Sequence, residues 1–238
     1  MTIPSKKYNN PFTPIGFRVF LRRDVPIMAI VMLLCIFLFF LFCHQTCLVA
    51  PAAKQLAWAN REVAILHAFF VSTISLLLVT DTISAVAWQL MLNVTRGFLL
   101  SDTVLMLLYP TVTSNIWLDV THHVILFWIT LYAYKGQKNM ALGLIAEITL
   151  VPLYFSWYML KWSMQGSTLF IIVAIITLLS YFFLRIGVFS YLLVKLWKQY
   201  INQENGIGIL QLIIFFPIIL MNYLWFYRLL QHAFRFLL

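Results

Sequence analysis

Long apolar stretches alternate with short polar segments along nearly the whole chain. Two of the stretches, 97–111 and 140–160, are less hydrophobic than the others because each holds one carboxylate, Asp102 in the first and Glu147 in the second. A chain inside a bilayer must satisfy its own backbone hydrogen bonds, and alternating strand patterns are absent, so the stretches predict helices. The pattern thus predicts an all-α, polytopic transmembrane helical bundle of about seven spans, with six to eight compatible. The predicted spans are 26–42, 64–79, 97–111, 116–134, 140–160, 168–184 and 207–230.

Composition agrees with this fold class. Hydrophobic residues make up 63% of the chain and charged residues only 10%, and the mean hydropathy is +0.94. A soluble domain of this size could not bury so much apolar surface, so the soluble classes are excluded.

The formal net charge of +9 does not indicate nucleic acid as a partner, because the basic residues are dispersed among the loops. Their distribution instead predicts a cytoplasmic N-terminus by the positive-inside rule. The predicted cytoplasmic segments contain Lys6, Lys7, Arg18, Arg22, Arg23, Arg96, Lys135, Lys138, Lys195 and Lys198. The opposite segments contain Lys54, Arg61, Lys161, Arg228 and Arg235.

The N-terminal region predicts a short tail and a retained anchor. Residues 1–25 form a basic cytoplasmic tail, 26–57 an anchor helix with its loop, and 58–235 the main transmembrane domain. The apolar run after the tail is longer than the ~7–15 residues usual in a cleaved signal peptide. Cys35, Cys43 and Cys47 fall in or just after this span and read as small apolar residues rather than metal ligands or a disulfide framework.

Three further features are local. The sequon at Asn93 falls on the predicted cytoplasmic side, so we expect no glycan there. Pro152 removes a hydrogen bond to the carbonyl of Ile148 and should kink its helix. The long segment beginning at Thr168 is predicted to break near Gly187.

The strongest chemical signal is the group Asp119, His122 and His123, which lies inside an apolar run. Ionisable residues at membrane depth are costly, by ~2.5–3.5 kcal/mol for a central charge on insertion scales, and therefore mark functional sites. Helical spacing places Leu126 and Thr130 near the same face. Asp119 can accept the N–H proton of either imidazole, which would fix the tautomer of that histidine and raise the basicity of its ring.

Other polar residues within spans have structural alternatives. Glu147 and Arg185 either form a buried ion pair that joins two helices or belong to the site. Asp102 either serves packing, by bonding a neighbouring tyrosine or histidine, or completes the site. His67 and Tyr109 are further candidates for polar groups that face the bundle interior.

Several short motifs occur in one order along the chain. They are Leu66-His67-Ala68, Gly97-Phe98-Leu99-Leu100-Ser101-Asp102, Asp119-Val120-Thr121-His122-His123-Val124, Ala146-Glu147-Ile148-Thr149 with Trp157, and Met221-Asn222-Tyr223-Leu224-Trp225. In this order they resemble the TLC domain family, which includes the ceramide synthases, the translocation-associated membrane protein and the small TLC-domain proteins. The likeness is nearest to the TLC domain-containing protein 4 group.

The resemblance implies a helix bundle around a lipid-sized cavity that the paired histidines face. In ceramide synthases the matching pair is needed to transfer an acyl group from acyl-CoA to a long-chain base. Carried to this chain, His122 or His123 would act as the base, Asp119 would orient it and Asp102 would complete the site. The chain is short and its polar signature before the histidines is thin. Membrane lipid homeostasis without established catalysis therefore ranks ahead of ceramide synthesis, and a lipid or cargo trafficking module is a further alternative.

The remaining expectations concern partners and location. The chain has five histidines, which are too few for the histidine boxes that hold two metals in a di-iron desaturase. A transporter would show internal inverted repeats, and the sequence has no such repeat. We expect no metal and no resident cofactor, with acyl-CoA only as a co-substrate of an acyltransferase. Membrane lipids are the expected partners, and homo-oligomerisation is left open. The resemblance implies the endoplasmic reticulum or another endomembrane.

Overall fold

The computed structural model describes residues 24–46, 54–113, 115–132, 137–202 and 209–237. These residues are almost entirely helical, and the predicted all-α bundle is confirmed. The α-helices are α1 (Val25–Thr46), α2 (Gln55–Val79), α3 (Ala85–Leu108), α4 (Ile116–Tyr132), α5 (Gln137–Ile145), α6 (Leu150–Lys161), α7 (Thr168–Ser180), α8 (Val188–Ile201) and α9 (Ile209–Leu237).

Short non-α segments connect some of these helices. A 3-10 turn, Pro110–Val112, follows α3, and a second, Ala146–Thr149, joins α5 to α6 just ahead of Pro152. Pro152 has no N–H to donate to the carbonyl of Ile148, so the regular α-helical hydrogen bond is missing and the chain forms a 3-10 turn there. A π-helical segment, Tyr181–Gly187, joins α7 to α8.

Six stretches within the described residues are long and apolar enough to cross a membrane. A shorter apolar helix, Ile116–Leu131, carries the paired histidines and lies within the predicted span 116–134. The six are Val25–Gln45, Gln55–Val79, Val86–Leu108, Gln137–Lys161, Thr168–Ile201 and Leu212–Phe234. Their outer faces carry large exposed apolar side chains, such as Leu33, Val86 and Phe183, as lipid contact requires.

The structure corrects two helix starts and the predicted break. Helix α2 begins at Gln55, nine residues before the predicted start at 64. Helix α3 begins at Ala85, twelve residues before the predicted start at 97. At Gly187 the chain does not turn, because the helix continues through the π segment from Thr168 to Ile201. These 34 residues would extend about 51 Å at 1.5 Å per residue.

Helices α3 and α4 run antiparallel, and this contact positions the site. Arg96 on α3 meets Thr130 on α4, and six residues further along α3 Asp102 meets His123. Helix α1 packs against the other side of α3 at Gly97. A Cβ there would lie 2.7 Å from that of Val31, so only glycine permits this approach.

Candidate functional site

A pocket of about 410 Å³ lies between α2, α3, α4, α6, the π segment and α9. Of the residues proposed from the sequence, seven line it: His67, Asp102, Asp119, His122, His123, Glu147 and Arg185. Tyr109 does not line it and instead stacks on Phe39 of α1, with ring centroids 6.0 Å apart. The remainder of the wall is largely apolar, including Phe98, Leu126, Leu150 and Leu153.

The carboxylate nearest to the paired histidines belongs to a neighbouring helix. Nδ1 of His123 lies 3.5 Å from Oδ2 of Asp102, and both side chains are largely buried. The two atoms are within ion-pair distance, but Nδ1 has no partner with hydrogen-bond geometry among the described residues. Asp119, expected to orient a histidine, instead accepts a hydrogen bond from Thr113. Asp102 therefore takes the position that helical spacing predicted for Asp119.

Two other imidazoles are held by aromatic rings. His67 stacks on Phe98 with a centroid separation of 3.8 Å, and His122 meets Trp225 edge to face at 4.9 Å. Within the described part of the chain, neither ring nitrogen of His67 nor Nδ1 of His122 has a hydrogen-bond partner. Buried polar atoms are seldom left without partners, so these nitrogens are suited to a bound molecule.

The predicted ion pair of Glu147 and Arg185 is present in the pocket wall. Nη2 of Arg185 lies 3.1 Å from Oε2 of Glu147, and its Nε donates to Thr149 at 3.0 Å. A longer contact of 3.5 Å reaches Asn222 on α9. The pair joins the 3-10 turn, the π segment and α9, and it neutralises both buried charges.

The arrangement places acid-base groups beside an apolar wall. A histidine next to a carboxylate can accept or return a proton, and unpartnered imidazole nitrogens can bind polar groups of a ligand. The apolar remainder suits an acyl chain or another hydrophobic body.

A family model of the TLC domain matches residues 57–231, which include every residue that lines the pocket except His232. The chain belongs to the TLC domain family. No curated protein and no solved structure matches it.

Several lining residues of the TLC domain were missed as site residues. Arg61 was assigned to a loop, but it lies within α2 and lines the pocket with Asn60. Asn60, Ala64 and His67 are spaced so that they lie on one face of a helix. Once His67 is taken as a site residue, this spacing predicts that Asn60 and Ala64 face the site as well. Arg228, assigned to the segments opposite the cytoplasm, also contributes to the lining, as does His232 just beyond the matched region.

Arg96 corrects the predicted loop between the second and third spans. It lies within α3, only 4% exposed, where its Nε donates to Thr130 at 3.2 Å and its Nη1 to Asn93 at 2.7 Å. Asn93 in turn donates to Asp24 at 3.0 Å. This network ties the start of α1, which precedes the matched region, to the TLC domain.

Proposed function

We propose that this TLC-domain protein binds a membrane lipid in the pocket and acts in membrane lipid homeostasis. The observation that carries the proposal is the mixed lining, in which buried imidazole nitrogens without partners among the described residues lie beside apolar side chains of a bundle of apolar helices. A volume of about 410 Å³ falls within the ~300–1,000 Å³ of small-molecule sites. It suits a headgroup with the first part of a chain.

The test is to fill the pocket and measure the lipid that remains bound. Ala64 lines the pocket, and tryptophan in its place should displace the ligand. Leu153→Trp, at a half-buried lining position, is a second variant for the case in which Ala64→Trp fails to fold. Ala29→Trp on the exposed face of α1 is the control.

Lipid extracted from the purified variants is then identified and measured by mass spectrometry. We expect both pocket variants to lose a lipid that the parent protein and the control retain. Equal retention by folded pocket variants would overturn the proposal.

A second candidate is N-acylation of a long-chain base by acyl-CoA, and the contact of His123 with Asp102 favours it. In this reaction the neutral amine attacks the thioester carbonyl, a C–N bond forms and the C–S bond breaks. The histidine takes the amine proton and returns it to the leaving thiolate. Product formed by the parent protein but not by His122→Ala or His123→Ala would support this reaction.

Two finer assignments belong to the same proposal. The motif order supports a place near the TLC domain-containing protein 4 group, and the family supports a location in the endoplasmic reticulum or another endomembrane. A pure trafficking module differs from both enzyme and regulator in one respect. It would tolerate loss of either histidine without losing a reaction.

A further inference from the structure

One end of the pocket is distinctly basic. Arg61 lies near the start of α2, and Arg228 and His232 lie near the end of α9, and all three line the pocket. Arg228 and His232 are exposed, whereas Arg61 is half-buried. The loop residue Thr113 and the first turn of α4, with Asp119, complete this opening, which we call the basic mouth.

Aromatic side chains indicate the depth of the basic mouth in the bilayer. The guanidinium carbon of Arg61 lies 3.8 Å over the ring of Trp157. Trp58 contacts that ring and also Trp162, with centroid distances of 5.9 Å and 5.4 Å. Tryptophans gather at the boundary between acyl chains and headgroups. This clustering predicts that Arg61 lies near the level of the lipid headgroups.

The arginines of the basic mouth form no ion pair in the described part of the chain. Within the described residues, no acid lies within ion-pair distance of Arg61 or Arg228. Arg61 donates to the carbonyl of Ala57 at 2.7 Å and at 3.5 Å to that of Val112. Its buried Nε has no partner in the described part of the chain.

Of the three acids that line the pocket, only Asp119 belongs to the basic mouth. Glu147 pairs with Arg185, Asp102 faces His123, and Asp119 accepts from Thr113. Two arginines against one carboxylate, Asp119, leave the opening with a net positive charge, and Nε of Arg61 has no partner among the described residues. A phosphate group would balance the charge and accept from this donor.

We propose that the basic mouth binds the phosphate of a phospholipid headgroup through Arg61 and Arg228, with His232 as a further donor. The inference rests on the proposed function, because it names the class of lipid held in the pocket. The mouth opens opposite the N-terminal end of α1. With the predicted cytoplasmic N-terminus it faces away from the cytoplasm, which favours a phospholipid over coenzyme A as the source of the phosphate.

The experiment compares lipids that differ only in the headgroup. The purified full-length protein in neutral detergent is titrated with dioleoyl phosphatidic acid, dioleoyl phosphatidylglycerol and dioleoylglycerol, and bound lipid is measured by native mass spectrometry. We expect the two phosphate lipids to bind more tightly than dioleoylglycerol. Arg61→Gln and Arg228→Gln should each weaken them about tenfold, equivalent to ~1.4 kcal/mol, and leave dioleoylglycerol unchanged.

Two controls separate charge from folding and from non-specific attraction. Lys54→Gln removes an exposed charge near the start of α2 but outside the pocket lining, and it should bind all three lipids as the parent does. Arg228→Lys keeps the charge and should retain much of the phosphate preference.

The outcomes distinguish this inference from the proposed function. If all three lipids bind equally and Ala64→Trp abolishes all binding, the phosphate assignment fails and lipid binding stands. If no lipid binds to folded protein, the proposed function fails as well. If palmitoyl-CoA or inorganic phosphate displaces the phospholipid in an Arg228-dependent manner at equal or lower concentration, the assignment to a phospholipid is overturned.

Discussion

His123 and Asp102 meet across two antiparallel helices, with 3.5 Å between Nδ1 and the carboxylate oxygen. The partner of the histidine therefore depends on how α3 lies against α4, and not on spacing within α4. The acid that helical spacing favoured, Asp119, is bonded to Thr113. This arrangement makes Asp102 the positioning residue in the acyltransferase candidate.

Substitution Asp102→Asn tests that role. If the protein transfers acyl groups, loss of the negative charge should reduce kcat by ~10²–10⁴-fold, the usual contribution of acid-base catalysis. Lipid binding measured in parallel should change little, since the amide keeps the shape of the side chain. Asp81→Asn, on an exposed turn, is the matched control. Full activity of Asp102→Asn beside an inactive His123→Ala would contradict the role.

The buried pair of Glu147 and Arg185 predicts a large stability effect. Replacing Arg185 with methionine leaves Glu147 unpaired in an apolar environment and should lower the free energy of unfolding by ~3–5 kcal/mol. The double variant Glu147→Gln with Arg185→Met should recover part of this loss. Unfolding in detergent, followed by tryptophan fluorescence, measures both.

An exposed pair provides the comparison for that measurement. Lys138 and Asp81 are 2.7 Å apart, but their side chains are 58% and 73% exposed. Lys138→Met should therefore change stability by only ~0–1 kcal/mol. Equal losses in Lys138→Met and Arg185→Met would show that burial does not govern the cost.

The approach of α1 to α3 at Gly97 gives a third prediction. An added Cβ would lie 2.7 Å from Val31 and 2.8 Å from the carbonyl of Met28. Gly97→Ala should therefore destabilise the protein by ~1–3 kcal/mol, as overpacking usually does. Gly166→Ala, where a Cβ meets nothing within 4 Å, should be nearly neutral. Thermal unfolding of the two variants decides between them, and an unchanged Tm for Gly97→Ala would contradict this packing.

The sequon at Asn93 gives a fourth prediction. Asn93 is 1% exposed and both bonds of its amide group are made within the network of Asp24 and Arg96. A glycan cannot be accommodated there, so we expect no mobility shift on glycosidase treatment and an unmodified Asn93 peptide in mass spectra. A glycan on Asn93 would contradict both this packing and the predicted topology.

Hydropathy predicted most of the bundle because lipid contact requires long apolar faces. It failed at the starts of α2 and α3, where Arg61 and Arg96 lower the local hydropathy. Both arginines are accommodated by partners from other helices, Trp157 and Val112 for one and Thr130 for the other. A window along one sequence cannot detect such partners.

The candidate site was predictable to a similar extent. Polar residues within apolar runs identified the histidines and the pair of Glu147 and Arg185, because each carries a cost that must be met nearby. The contact of His123 with Asp102 and the basic mouth formed by two distant helix ends depend on tertiary packing. Spacing along one helix contains no information on either.

The π segment Tyr181–Gly187 affects where the chain can lose a residue without losing its fold. A π turn accommodates an additional residue within an otherwise α-helical chain. Deleting one residue there would restore regular α geometry and leave the downstream helix close to its present register. A deletion within the regular α segment Thr168–Ser180 would instead rotate everything downstream by about 100°, the angle per residue of an α-helix. Arg185 would then leave Glu147, and the face of α8 that packs on α5 and α9 would turn outward. Single-residue deletions should therefore be less harmful in the π segment than in α7.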